Sequence, residues 1–267
     1  MPTMWTSVRS AMVVIGVAVT TLVTPGLSSA AATQPPVTGI ASIQPASGAV
    51  VGVAHPVVVT FSAPVSDRSA AERSIAVRSN PPMTGSFDWV DDTEVQWIPD
   101  RYWPAHSTVA LSVGKRSVDF STRAKVVGVA SISAHTFTVT VDGEDAGPLP
   151  TPHHRPHWGE DGVLPATMGK TEYETPTGNY TVLAKDRKVV MDSSSVGIPI
   201  DSAEGYRFEV EHAVRITRRG LYVHSAPWAL RSLGLENVSH GCIGLSPTDA
   251  EWYFDRVNIG DPVIITE

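Results

Sequence analysis

Short segments of alternating apolar and polar residues dominate residues 40–122 of the chain, and turn-forming residues separate them. Asp91-Asp92 and Gly114-Lys115-Arg116 supply two of these turns. Five segments have the pattern of strands: Val57–Phe61, Ser86–Val90, Glu94–Ile98, Val109–Val113 and Ser117–Phe120. Short strands at regular spacing predict a mainly β fold, an immunoglobulin-like β-sandwich over residues 40–123. Asp67–Ala76 fits either a short helix or a long connection.

Residues 124–267 predict a second β-rich domain. Its strand-like segments are Val126–Ser131, Thr136–Val141, Asn179–Leu183, Val189–Met191, Leu221–Val223 and Val263–Ile265. A further strand is predicted from apolar positions that alternate at period two, which are Phe208, Val210, His212, Val214 and Ile216. This period indicates a strand with one buried face.

One longer helix is predicted near the C-terminus, and a weaker one after Pro227. Ser246 is a candidate N-cap, Pro247 fits the first helical position, and Asp249 stands three residues after the cap. Gly260 is the predicted C-terminal break of this helix.

The first 32 residues have the pattern of a secretory signal peptide. Arg9 precedes an apolar run, Ala11–Val23, that is too short to span a bilayer comfortably. Ala30-Ala31-Ala32 offers small residues at the cleavage position. We therefore expect a signal peptide over residues 1–32, a linker over 33–39, and export to the periplasm or cell wall. If the signal is not cleaved, it would anchor the chain in the membrane.

Charge and composition exclude two classes of binding partner. The formal net charge is −7, and basic residues are scattered rather than clustered. This pattern predicts no nucleic-acid binding and no polybasic attachment to anionic lipid. The 21 glycines and 21 prolines favour short strands and turns over long helices.

Cys242 is the single cysteine of the chain, so it has no partner for an internal disulfide. It stands in Ser239-His240-Gly241-Cys242, and His224 lies eighteen residues upstream at the end of a predicted strand. An imidazole can take the thiol proton and form a thiolate–imidazolium pair. The Ser225 carbonyl can orient the ring, and the amides of Gly241 and Cys242 can face an oxyanion. We interpret Cys242 as a nucleophile.

The order of residues disfavours papain-like peptidases, in which the catalytic histidine follows the cysteine. No histidine follows Cys242 in this chain.

Five segments follow one another in this order: Gly169-Lys170, Thr175-Pro176-Thr177-Gly178, Met191-Asp192-Ser193-Ser194, His224–Trp228 and Ser239–Cys242. Together they resemble the L,D-transpeptidases of bacterial cell walls, the enzymes with a YkuD-type catalytic domain. Val53-Ala54-His55-Pro56 and Trp103-Pro104-Ala105-His106 also resemble the immunoglobulin-like modules of the mycobacterial members. The resemblance covers nearly all of residues 33–267.

The resemblance implies that Cys242 attacks a peptidoglycan tetrapeptide stem, releases D-alanine and carries the acyl group as a thioester. The amine of a second stem's diamino acid then completes a 3→3 cross-link. It also implies His224 as base, helped by Ser225, with no cofactor or metal and with carbapenems as acylating inhibitors. Tyr206 and Gly241 are implied oxyanion groups, and the substrate-contacting residues are Tyr206, Met191, Trp228, Ser239 and His240.

Two features depart from the family pattern. Mycobacterial members often carry asparagine two positions after the cysteine, where this chain has Gly244. The segment Pro152–Gly159 is longer than expected and contains His153, His154 and His157. A solvated loop is the preferred interpretation of these histidines over a metal site, because Pro156 prevents a helical i, i+4 arrangement.

Two alternative functions stay open. An L,D-carboxypeptidase would resolve the same thioester with water. A cell-wall-binding module would retain the fold without catalysis, and the presence of Cys242 and His224 argues against it.

Overall fold

The computed structural model of the chain describes residues 39–150 and 159–267. Strands make up most of the regular structure. In residues 40–122 the elements are β1 (Ile40–Gln44), β2 (Ala49–Val51), β3 (Val57–Phe61), α1 (Arg68–Ile75), β4 (Arg78–Asn80), β5 (Gly85–Trp89), β6 (Glu94–Pro99), β7 (Thr108–Val113) and β8 (Arg116–Thr122).

These eight strands form two four-stranded sheets over one apolar core, in the orders β1-β3-β6-β5 and β2-β8-β7-β4. Alternate residues of β3 are buried, as its sequence pattern predicts. Trp103 fills the centre of the core, with ring centroids 6.0 Å from Trp97 and 5.4 Å from Phe120. The predicted sandwich is confirmed. The segment Asp67–Ala76, for which the sequence allowed a short helix or a long connection, contains the helix α1. Asp67 caps this helix by accepting the N–H of Ala70.

The second region also consists mainly of strands. They are β9 (Val126–Ser131), β10 (Thr136–Val141), β11 (Glu144–Asp145), β12 (Val163–Pro165), β13 (Gly178–Thr181), β14 (Ala184–Asp192), β15 (Arg207–Arg215), β16 (Tyr222–Ser225), β17 (Ile243–Leu245) and β18 (Pro262–Thr266). One sheet has the order β11-β10-β9-β18-β13, with β12 on β10, and the other the order β14-β15-β16-β17. The predicted mainly β fold is confirmed here as well.

Helix α2 (Pro247–Arg256) packs on the second sheet and begins as its sequence predicts. Ser246 Oγ accepts the N–H of Asp249 at 3.1 Å. The predicted end at Gly260 is wrong, because Val257 is already extended and buries its side chain. Within residues 39–150 and 159–267, neither helix has the length and apolar character required to cross a membrane.

Strands β14 and β15 pair from end to end except at Arg187 and His212. Strand β16 pairs only with the last two residues of β15. The rest of the hairpin extends beyond the sheet. For this reason Phe208, which was predicted to be buried, is 37% exposed. The prediction of a buried face is confirmed at Val210 and Val214. Residues 193–206 connect the two strands, and we call them the hairpin loop.

The sandwich contacts the second region through closely packed backbone. Gly52 N–H donates to the Ile259 carbonyl at 2.8 Å, and Ala54 N–H donates to the Gly260 carbonyl at 2.7 Å. A Cβ on Gly52 would lie 2.2 Å from the Asp261 nitrogen, so only glycine allows this approach. The domain boundary between residues 123 and 124 remains a prediction.

Candidate active site

Cys242 ends a tight loop, Ser239–Cys242, that leads directly into β17. Gly241 has φ +118°, a conformation that residues with a side chain rarely adopt. The buried Thr175 hydroxyl donates to the Gly241 carbonyl at 2.7 Å and accepts the N–H of Gly169 at 2.8 Å. The segment around Thr175 therefore holds the loop of the candidate nucleophile, Ser239–Cys242, which we call the nucleophile loop.

Ser239 braces the same loop from within. Its Oγ accepts the N–H of Gly241 at 3.0 Å and donates to the Cys242 carbonyl at 2.6 Å. The predicted oxyanion donor Gly241 thus directs its N–H at Ser239 in this structure. The N–H of Cys242 has no hydrogen-bond acceptor within the described residues.

His224 lies on β16, whose parallel pairing with β17 sets His224 opposite Gly244. Its Nδ1 is 2.7 Å from the Ser225 carbonyl oxygen. Because a carbonyl only accepts, Nδ1 carries the proton and Nε2 of the neutral ring is free to act as a base. Burial lowers the pKa of His224 to about 4, and the bond to Ser225 opposes this only in part.

The Cys242 thiol lies in dense packing although the residue is partly exposed. Its Sγ is 3.7 Å from the Gly220 carbonyl oxygen, to which the thiol donates. Burial raises the pKa of Cys242 to about 11, and the N–H of Tyr222 opposes this in part. At neutral pH the thiol and the imidazole are therefore both neutral, rather than the expected thiolate–imidazolium pair.

A single cleft of about 260 Å³ brings Cys242 and His224 together. All five residues predicted to contact substrate line it, and these are Tyr206, Met191, Trp228, Ser239 and His240. Ser225 lies behind the His224 ring and acts on it through its carbonyl. Trp228 is 56% exposed, so its side chain forms a wall of the cleft and not part of the core.

Tyr206 ends the hairpin loop, and paired bonds with Ser193 hold its backbone. Tyr206 N–H donates to Ser193 Oγ, and Ser193 N–H donates to the Tyr206 carbonyl, both at 3.0 Å. Burial raises the pKa of Tyr206, and the negative charges of Cys242, once ionised, and of Asp192 raise it further. Its phenol is therefore a neutral donor beside the thiol.

Phe208 is a cleft residue that the sequence pattern assigned to a buried strand face. Its ring lies 5.2 Å from Tyr206 and 4.7 Å from Trp228, edge-on to the latter. The Tyr206 ring also lies 5.2 Å from His240, which in turn lies 4.8 Å from Tyr173. A row of four rings, from Trp228 to His240, thus runs along the cleft wall.

Glu204 was not predicted as a site residue, yet it connects the hairpin loop to the nucleophile loop. Its Oε2 is 2.7 Å from Lys170 Nζ and 2.8 Å from His240 Nε2. The hydrogen bonds from Lys170 and then His240 lower the pKa of the Glu204 carboxyl. These partners lie 34 and 36 residues from Glu204, so no local pattern reports the contact.

Gly244 lines the cleft at the position where a side chain was expected from the family pattern. A Cβ there would lie 2.9 Å from both Ala226 Cβ and Thr167 Cγ2. Those two side chains leave no room for a larger residue at this position.

Within residues 39–150 and 159–267, no three His, Cys, Asp or Glu side chains converge as they would around a metal ion. The predicted solvated loop with His153, His154 and His157 lies outside the described residues.

Two family models match the chain. The bacterial Ig domain matches residues 23–119, and the L,D-transpeptidase catalytic domain, YkuD, matches residues 127–265.

Among curated relatives, the probable L,D-transpeptidase 3 of Mycobacterium tuberculosis is 62% identical over 264 residues, which is 96% of this chain and 97% of that protein. L,D-transpeptidase 1 of the same species is 49% identical, over 92% of this chain and 94% of its own length.

The fold also matches solved structures. A crystal structure of L,D-transpeptidase 3 from M. tuberculosis in complex with a faropenem-derived adduct has a TM-score of 0.83 and 66% identity, over 86% of this chain and 98% of that one. An L,D-transpeptidase structure in complex with imipenem has a TM-score of 0.78 and 49% sequence identity, and the match covers 86% of this chain and 100% of that one.

Proposed function

Because the chain belongs to the L,D-transpeptidase family with a YkuD catalytic domain, we propose that it forms 3→3 cross-links in peptidoglycan through a thioester on Cys242. One observation carries the proposal: the single thiol and a buried imidazole with a free Nε2 line one cleft. Cys242, His224 and Ser225 are the proposed catalytic residues.

In the acylation step, Sγ of Cys242 attacks the carbonyl of the third residue of a donor tetrapeptide stem. Because both resting groups are neutral, His224 Nε2 takes the thiol proton as the S–C bond forms. The C–N bond to D-alanine then breaks, and His224 returns the proton to the leaving amine. Before this, the thiol must leave the Gly220 carbonyl.

The oxyanion of this step needs donors at the cleft wall. The Tyr206 hydroxyl and the Cys242 N–H are available to it, and removal of one such donor costs about 3 kcal/mol in other enzymes. The Gly241 N–H can join them only by leaving Ser239 Oγ. Met191, Trp228, Ser239 and His240 would hold the stem peptide.

In the second step, the side-chain amine of an acceptor diamino acid attacks the thioester. The N–C bond forms, the C–S bond breaks, and the sulfur regains its proton through His224. Water in place of the amine would give a carboxypeptidase.

We also propose that carbapenem-type β-lactams acylate Cys242. Similar proteins of the family have been solved with a faropenem-derived adduct and with imipenem. A substrate outside the cytoplasmic membrane also fits the predicted signal peptide over residues 1–32 and export to the periplasm or cell wall, which cell fractionation would test.

Purified tetrapeptide-stem muropeptides distinguish these reactions in one assay. The proposal predicts free D-alanine and cross-linked dimers with the parent protein, and neither product with Cys242→Ser. Tripeptides without dimers would indicate the carboxypeptidase. Binding to wall sacculi without any product would indicate the wall-binding module.

A further inference from the structure

We propose that Glu204 selects the acceptor of the second step by binding its protonated amine. The inference rests on the proposed function, because it names the residue that would distinguish an amine from water at the thioester. Glu204 is the only carboxylate among the described residues that line the cleft, and its side chain is 44% exposed.

One oxygen of Glu204 is free for a cation. Lys170 and His240 both contact Oε2, so Oε1 has no partner among the described residues. A glutamate carboxyl is ionised at neutral pH, and these hydrogen bonds lower its pKa further. A charged carboxylate with one open oxygen beside the nucleophile loop is suited to bind an ammonium group.

The structure already holds a primary ammonium at this position. Lys170 Nζ lies 2.7 Å from Glu204 Oε2 and 5.4 Å from the centre of the Tyr173 ring. A carboxylate and an aromatic face together form a favourable environment for such a cation. The side-chain amine of a diamino acid has the same chemistry as this lysine, so it can use the free oxygen or replace Lys170.

Binding and deprotonation are separate tasks in this scheme. A side-chain amine is protonated near pH 7, because its usual pKa is about 10. Glu204 binds the ammonium, and solvent takes the first proton as the amine leaves it. The amine then forms the N–C bond, and His224 passes its second proton to the departing sulfur. Water is uncharged and gains only an ordinary hydrogen bond from the carboxylate, whereas the ammonium gains a charge-assisted one, so Glu204 favours aminolysis.

The test compares two acceptors on the same acyl-enzyme. The donor is a tetrapeptide stem, and the acceptors are a diamino-acid amine, which is cationic, and hydroxylamine, which is uncharged at pH 8. With Glu204→Gln we expect partition to the cationic acceptor to fall about tenfold relative to hydroxylamine, the loss of one charge-assisted hydrogen bond. An equal fall for both acceptors, or no fall, would overturn the inference.

Two further variants separate charge recognition from loop support. Glu209→Gln removes the same charge from another Glu–Lys pair on the same hairpin. Glu209 lies 2.7 Å from Lys188 and outside the cleft, so this variant should leave the partition between the two acceptors unchanged.

Lys170→Gln removes the competing ammonium, so the KM of the cationic acceptor should fall. If that KM rises as in Glu204→Gln, Glu204 acts only as a brace. If the parent protein releases no D-alanine, the proposed function has failed instead.

Discussion

In the sandwich of residues 40–122, Thr122 is the single buried polar side chain among the described residues, and the rest of the core is apolar. Residues 124–267 bury nine polar or charged side chains within the described part, among them His224, Ser225, Thr175 and Ser193. Burial of a polar group costs free energy unless it is hydrogen-bonded. Those four residues make such bonds, through a side chain or the backbone. The bonds of Thr175 and Ser193 brace the loops that carry Cys242 and Tyr206, and the bond between His224 and Ser225 orients the imidazole.

The difference separates the tasks of the two regions. Hydrophobic burial is sufficient to hold the sandwich, since nothing in it must be aimed at a reacting atom. In the second region, polar contacts set the position of individual atoms, so a small change there should affect chemistry more than stability. Four substitutions test this contrast.

The largest effect is expected from His224→Gln, which removes the imidazole proposed as the base. Acylation should slow by about 10²- to 10⁴-fold, the usual contribution of a positioned general base. The rate of adduct formation measures this loss. His106→Gln makes the same change at an exposed histidine of the sandwich and should leave the rate within twofold of the parent. Similar rates for both variants would remove His224 from the mechanism.

Trp103→Ala should lower stability and leave the reaction rate nearly unchanged, the opposite of His224→Gln. Trp103 is 1% exposed, and its Nε1 donates to the His55 carbonyl at 2.9 Å, so truncation should lower the free energy of unfolding by about 3–5 kcal/mol. The turnover of the folded fraction should stay within twofold. Trp228→Ala is the paired control, because its exposed ring should affect turnover more than urea stability. If Trp103→Ala lowers turnover without unfolding, the contrast is wrong.

Asp261 tests the contact between the two regions. Burial raises the pKa of Asp261 to about 6, which the bonds from Asn258 oppose only in part. Since the folded pKa lies above the unfolded value near 4, its favourable contribution is complete below pH 4 and is lost as pH rises through 6. The free energy of unfolding of Asp261→Asn, relative to that of the parent, should therefore rise by up to about 3 kcal/mol from pH 4 to pH 7. Urea titrations of both proteins at the two pH values measure this change. The same difference in stability at both pH values would contradict the prediction.

The smallest effect is expected at Gly244. Its added Cβ would meet Ala226 and Thr167 at 2.9 Å, so Gly244→Ala should cost about 1–3 kcal/mol. Ala226→Gly in the same chain should recover part of this loss, because it relieves one of the two contacts and leaves that with Thr167. Gly39→Ala, directly before β1, is the control, because the nearest atom to its added Cβ is 3.6 Å away, and it should be nearly neutral. Equal melting temperatures for the two alanine variants would show that the cleft floor has room.

The sequence predicted most of the fold because strand patterns and caps are local. Strands β9 and β10 have the predicted bounds, and Ser246 caps α2 as expected. Phe208 was mistaken for a core residue, because period two marks two faces but does not show what covers them. The end of α2 was missed because the burial of Val257 overrides the glycine signal.

The candidate site was predictable only as far as its motifs extend. Cys242 and His224 stand in short, specific segments, and the structure places both at one cleft. The contact of Glu204 with Lys170 and His240 depends on how the hairpin loop folds over the nucleophile loop, and no spacing in the chain encodes it. The neutral state of the thiol and imidazole likewise follows from burial, which a sequence does not display.

The central claim is that Cys242 carries the acyl group. Intact-protein mass spectrometry after incubation with a carbapenem tests it most directly. The parent protein should gain the mass of one inhibitor, located on the peptide that contains Cys242, and Cys242→Ser should gain none while its melting temperature stays nearly unchanged. An adduct of the same mass on folded Cys242→Ser would contradict the account.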